Sequence, residues 1–163
     1  MRNFKEKLWI IPLIGGLIAL ISLLLPVTTW HPVGNLAIQW MFQLGLRLEP
    51  FIELSLWRWD PLLLSLSIIL SMMNFVSSSI VILLTVIYKR KSKSFLKLKK
   101  YWLIFGIIIT LSTLAWIIKM EVFYNIWGGS HWFGDYSPNV GIITPFIGSG
   151  LIILAFFLIK TNK

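Results

Sequence analysis

Residues 30–60 read WHPVGNLAIQWMFQLGLRLEPFIELSLWRWD. Within them Leu36, Ile38, Trp40, Phe42, Leu44, Leu46 and Leu48 alternate with Ala37, Gln39, Met41, Gln43, Gly45, Arg47 and Glu49. Strict alternation puts the first set on one face of a strand, whereas a helix would scatter it around the circumference. Pro50 interrupts the run. Ile52, Leu54 and Leu56 then alternate with Glu53 and Ser55 and lead into Trp57-Arg58-Trp59. Two alternating runs about Glu49-Pro50-Phe51 predict an antiparallel pair. An interfacial helix is a second reading, because Leu, Met, Gln, Arg and Glu all favour helix. A short hairpin of helices is a third. An open strand pair cannot lie in hydrocarbon, where its edge N–H and C=O groups have no partner. The segment therefore stands outside a membrane or on its surface.

The membrane is implied by what surrounds this segment. The chain is 57% hydrophobic and only 13% charged, too apolar to clothe a soluble core in polar surface. Four apolar runs, 8–30, 61–88, 102–120 and 141–159, have the length of about 20 residues that a spanning helix needs. The basic start followed by an apolar run would also suit a signal peptide. The spanning length and the lack of a small-x-small site predict an uncleaved first helix instead. Pro12 and Pro145 fall in first turns, where proline is tolerated, and Pro26 is expected to end or bend the first helix.

Net charge is +9, but its distribution excludes nucleic-acid binding, because the cations sit between the apolar runs. The two termini and the loop 89–101 hold twelve Lys and Arg against Glu6 alone. The other side holds Arg47, Arg58 and Lys119 against Glu49, Glu53, Asp60, Glu121 and Asp135. Cytoplasmic loops carry the excess of Lys and Arg. The expectation is therefore a multi-pass cell-membrane protein of one domain, residues 1–163, with cytoplasmic termini. Residues 31–60 and 121–140 would be its outer segments. The second of these is turn-rich, with a short strand expected over 122–127. The loop lysines can also rest on anionic lipid.

Polar residues inside the spans fall on one face. Ser67, Ser71, Asn74 and Ser78 follow at steps of four, three and four, and Thr85 continues the stripe. Such groups either pack one helix on another or line a polar path. Small residues make further seams: Gly15, Ala19 and Ser22; Gly106, Thr110 and Thr113; Gly141, Gly148 and Ala155.

Little here suggests catalysis. There is no cysteine, which removes disulfides, thiolate nucleophiles and cysteine zinc sites. The cores of the runs hold no Asp, Glu, Lys, Arg or His, the groups that proton pumps and ion-coupled carriers use near the midplane. No nucleophile, metalloprotease or phosphate-loop motif occurs. No enzyme activity and no cofactor are expected. His31 and His131 could approach Asp60 and Asp135, but two histidines with unordered acids are a poor metal signature, so no metal is expected. Six tryptophans, Trp30, Trp40, Trp57, Trp59, Trp127 and Trp132, fall on the outer side and form the candidate interaction surface. An interfacial belt accounts for Trp30, Trp59 and Trp132. Trp40 and Trp57, in mid-segment, suit a packed cap or a contact surface.

Four spans, inner termini, a strand-bearing first outer segment, a shorter second one and a small-residue fourth helix resemble the claudin-like tetraspan family. In that family a Trp follows the first span, and Gly-Leu-Trp followed by two cysteines marks the first outer loop. Trp30 answers to the first feature and Leu56-Trp57 to the second, with Ser55 in place of the glycine and neither cysteine present. The resemblance implies a non-enzymatic protein that assembles laterally or across cell surfaces. The expected fold is thus an all-α membrane protein, a four-transmembrane-helix bundle with a small extracellular β-containing cap. Its expected partners are membrane lipids and either further copies or another membrane protein. An accessory subunit of a larger membrane complex, and a passive oligomeric pore lined by Ser67–Ser78, are the alternatives.

Overall fold

A computed structural model describes residues 8–30, 37–41, 44–47, 53–56, 61–90, 99–128 and 136–158. Four helices dominate: α1 Ile10–Ile21, α2 Pro61–Arg90, α3 Lys99–Gly128 and α4 Val140–Leu158. The last three are long and apolar enough to cross a membrane. Proline at the first position of α2 needs no N–H partner there. Asn139 caps α4, its Oδ1 accepting the Val140 N–H at 2.7 Å. Pro145 lies inside α4 without ending it.

The expected first span is several elements instead. α1 runs into a 3-10 turn, Ser22–Leu24, and the helical part Ile10–Leu24 is shorter than the other three. Leu25 is extended, with φ −91° and ψ 144°. Pro26 is the cause, since its ring disfavours helical geometry in the residue before it. Val27, Thr28 and Thr29 then supply β-branched side chains, and Thr28–Trp30 form strand β1.

Four more strands join β1: β2 Ala37–Gln39, β3 Leu44–Arg47, β4 Glu53–Leu56 and β5 Tyr136–Pro138. The sheet order is β4-β3-β2-β1-β5, and every pairing is antiparallel. β3 and β4 form the pair expected about Glu49-Pro50-Phe51, with Leu46 opposite Leu54 and Arg47 opposite Glu53. The long run 36–48 is not one strand, however. It breaks after Gln39 and folds back, so that Ile38 faces Leu46 and Gln39 faces Gly45 across β2 and β3. The expected strand over 122–127 is also absent, because α3 continues to Gly128. No Pro or Gly precedes Gly128 there, and Tyr124 packs on the core beneath the sheet.

Over residues 38–41 the more deeply buried face is that of Gln39 and Met41. Gln39 and Met41 are fully buried, whereas Ile38 and Trp40 are half-buried. A distant partner permits the burial: the Thr28 hydroxyl donates to Gln39 Oε1 at 3.2 Å.

The helices close into a ring in which α1 and α3 each pack on both α2 and α4. Neighbours run antiparallel, Gly16 lying against Ile82, Asn74 against Thr113, Thr110 against Ser149 and Gly15 against Gly148. Two apolar layers fill the ring. Leu23, Val27, Met41, Trp116, Met120 and Ile142 form the layer under the sheet. Ala19, Val81, Trp102, Ile109, Ile152 and Ala155 form the layer toward the other end. Backbone hydrogen bonds extend the sheet beyond β1 and β5, from Val27 N–H to Gln39 O (2.8 Å) and Asn139 N–H to Val27 O (2.8 Å), and Gly141 N–H to Pro26 O (2.9 Å) ties the start of α4 to the segment before β1.

Candidate functional site

Ser67, Ser71, Asn74, Ser78 and Thr85 are all buried in the bundle. On α2 they form a stripe that turns inward, chiefly toward α3. Asn74 is its centre. The Ser112 hydroxyl lies 2.8 Å from Asn74 Oδ1, and Asn74 Nδ2 donates to Thr113 Oγ1 at 3.3 Å. A second polar contact joins α3 to α4, where Thr110 Oγ1 meets Ser149 Oγ at 2.9 Å. The seam expected over Gly106, Thr110 and Thr113 is therefore shared between two neighbours. Gly106 and Thr110 face α4, and Thr113 faces α2. Thr85 satisfies itself by donating to Val81 O at 2.7 Å. The Ser71 and Ser78 hydroxyls have no hydrogen-bond partner among the described residues.

This arrangement is a polar layer between two apolar ones. Its energy is modest, because each hydroxyl beside Asn74 has a local alternative. Ser112 Oγ is also 3.1 Å from Ile109 O, and Thr113 Oγ1 is 2.9 Å from the same carbonyl. Asn74→Leu removes the amide but strands neither hydroxyl. Loss of about 1 kcal/mol is expected, of the order measured for polar contacts between membrane helices. A shift of a few degrees in thermal midpoint in detergent would match this. Wholesale loss of folded protein would show that Asn74 holds the pair together.

At the sheet end of the same α2–α3 interface, Lys119 Nζ is hydrogen-bonded to Ser67 Oγ. It also lies 5.2 Å from the centre of the Trp116 ring. Lys119 thus bridges from α3 to the neighbouring helix. At the opposite end, Lys89 covers the Trp9 ring at 4.3 Å and Lys99 approaches Phe156 at 5.1 Å. In both pairs the ammonium itself sits over an aromatic face, a cation–π contact at the helix end.

Of the six outer tryptophans, Trp40 is the one with a described side chain. Its Nε1 donates to Leu24 O at 3.0 Å, which satisfies a carbonyl at the end of the 3-10 turn. Trp40 is thus a clasp between sheet and helix. Trp30 lies in β1, paired with Ala37 and Tyr136, and Trp127 in the last turn of α3. Trp57, Trp59 and Trp132 lie outside the described residues, as do His31, His131, Asp60 and Asp135. Among the described residues no group of three or more metal-ligating side chains gathers.

Two further tryptophans are fully buried. Trp102 belongs to the apolar layer with Ile109 and Ile152. Trp116 lies under the sheet, and its Nε1 donates to Met41 O at 3.0 Å. Ile109, Thr113, Trp116 and Met120 share one face at helical spacing, which is the signal that points to Trp116. No protein-family model matches the chain, and no curated protein is similar to it in sequence.

Proposed function

We propose that the chain is a non-enzymatic, claudin-like structural protein of the cell membrane, whose sheet end contacts further copies or a partner. In this reading all four helices cross the membrane, the termini are cytoplasmic and the sheet stands outside. The observation that carries it is the sheet itself. Its strands come from both segments that join helices at that end, and a backbone hydrogen bond from Gly141 N–H to Pro26 O ties the start of α4 to the segment that leads into β1. Such a sheet is a rigid platform rather than a pair of loose loops, and rigid surfaces lose less entropy on association. α1 is short, but it packs along α2 and α4, which supports its crossing with them. The Lys89, Lys99 and Lys100 pairs at the opposite end agree with a cytoplasmic face there. A pore through the Ser67–Ser78 face has less support, because α3 covers that face within one chain.

The mass of the protein extracted in mild detergent tests this reading. A homo-oligomer is expected, and Trp57→Ala, beside β4, is expected to shift it toward monomer while membrane insertion is unchanged. A monomer in the wild type would sink the proposal. Recovery as a stoichiometric complex with a different membrane protein would point to an accessory subunit instead. Conductance in liposomes that Asn74→Leu abolishes would favour the pore.

A further inference from the structure

Between the two apolar layers every helix contributes a small polar residue. Ser22, at the end of α1, lies between Ala19 of one layer and Leu23 of the other. Ser71, Asn74 and Ser78 hold this depth on α2, Ser112 and Thr113 on α3 and Ser149 on α4, and all are buried. Two hydroxyls of this layer behave unlike the rest. Thr85, Thr110, Thr113 and Thr144 each return their hydroxyl to the carbonyl four residues back. Ser71 and Ser78 Oγ reach no such carbonyl and have no partner among the described residues, although both side chains are fully buried. Asn74, between them on the same face, also has bonding capacity to spare. Its Oδ1 meets Ser112 and its Nδ2 donates to Thr113, which leaves one lone pair and one N–H unused among the described residues.

We propose that two internal water molecules complete this layer, one bridging Ser71 to Asn74 and the other bridging Asn74 to Ser78. Side chains three and four residues apart on a helix face lie about 5–6 Å from each other. One water spans such a gap with two hydrogen bonds of about 2.8 Å each. The chemistry selects water as well. Each bridge has to accept from one group and donate to another, and none of the layer's residues carries a charge that would hold an ion. No side chain of the layer exceeds asparagine, whereas the layers on either side are filled by Trp116 and Trp102, so the room for water lies here. Hydrocarbon around the bundle offers these hydroxyls no substitute. The waters are bound rather than passing through, since α3 closes over Asn74. The site lies within one chain and is independent of how copies assemble.

A crystal structure of the full chain that resolves ordered water tests the proposal. Density is expected about 2.8 Å from Ser71 Oγ and from Ser78 Oγ, each peak also within hydrogen-bond reach of Asn74. Hydroxyls turned to Ser67 O and Asn74 O, with no such density, overturn it. Thermal midpoints in detergent give a second test, in which the sign decides. Ser65→Ala is the control, since Ser65, exposed on the same helix, already returns its hydroxyl to Pro61 O. Ser71→Ala and Ser78→Ala should each fall a few degrees below this control, because each strips a water of a partner. Midpoints equal to the control or above it would mean a hydroxyl with no bond to lose, and would overturn the proposal. In an Asn74→Leu background the two shifts should vanish, because leucine takes the place of both waters. Shifts that persist there would tie the serines to something other than Asn74 and overturn it too.

Discussion

Gly148→Ala is expected to destabilise the protein, and Gly148→Val to destabilise it further, although alanine is the better helix former by about 1 kcal/mol. The reason is the crossing of α1 and α4. A Cβ at Gly148 would stand 2.6 Å from Gly15 O, 2.8 Å from Ala19 N and 2.9 Å from Ala19 Cβ. The contact is reciprocal, because a Cβ at Gly15 would stand 2.6 Å from Gly148 O. Backbone atoms cannot rotate aside as a side chain can, so the helices must separate. Overpacking a core typically costs about 1–3 kcal/mol. Here the valine variant should reach the upper end of that range, since separation also loosens Ile152 and the layer around it. Membrane helices are held together by close packing rather than by a hydrophobic drive, which leaves little to offset the loss. Gly150 supplies the control on the same helix. Nothing lies within 4 Å of its Cβ position, so Gly150→Ala should be neutral or slightly stabilising. Thermal midpoints in detergent give the comparison. Equal midpoints for Gly148→Val and Gly150→Ala would show that α1 and α4 do not cross here. Pairing Gly15→Val with Gly148→Val should cost less than the two alone, because both open the same contact.

The parts of the fold that were legible in the sequence depend on local period and on punctuation. α2 begins at Pro61 and α4 follows Asn139, and small residues at helical spacing mark the crossings at Gly15, Gly141 and Gly148. The β3–β4 pair follows from alternation on both sides of Pro50. Where hydropathy and structure part, a non-local contact decides. Val27-Thr28-Thr29 is apolar enough to prolong a span, and only Pro26 warns that the chain has left the helix. The turn after Gln39 contains neither Gly nor Pro, and it preserves the alternation through which it cuts. Gln39 is buried because Thr28 meets it, eleven residues earlier in the chain. The aromatic run over 122–127 favours a strand by composition, yet it remains helix because Tyr124 reaches the core under the sheet. β5 is three residues, Tyr136–Pro138, and exists only because β1 offers it an edge. The polar stripe through Asn74 was legible from spacing alone, but its partners Ser112 and Thr113 were not, since an α3 hydroxyl carries no mark of which neighbour it faces.

Trp116→Ala is the second large effect, and it should fall on one end of the molecule. The ring is fully buried among Leu23, Val27, Met41, Met120 and Ile142, residues contributed by the end of α1, the sheet, α3 and α4. Truncating a buried tryptophan costs about 3–5 kcal/mol through lost burial and the cavity left behind. The hydrogen bond from Nε1 to Met41 O adds to this, because the carbonyl that loses it is buried and has few alternatives. Trp116→Phe separates the two contributions. It keeps most of the packing, leaves the carbonyl without this donor and should cost about 1–3 kcal/mol. Trp116 is the side chain through which α3, from below, holds the turn between β2 and β3. Its loss should therefore release the sheet before the bundle. Amide exchange is expected to accelerate at Thr28–Trp30 and Ala37–Gln39, while Ile109 and Ile152, in the other apolar layer, keep their protection. Trp102→Ala should give the converse pattern, since Trp102 lies in that other layer. If Trp116→Ala leaves exchange in β1 and β2 unchanged, the sheet is held by its own backbone bonds and the Gly141–Pro26 link to α4, without the Trp116 ring. Uniform acceleration across both layers would mean instead that sheet and bundle unfold as one unit.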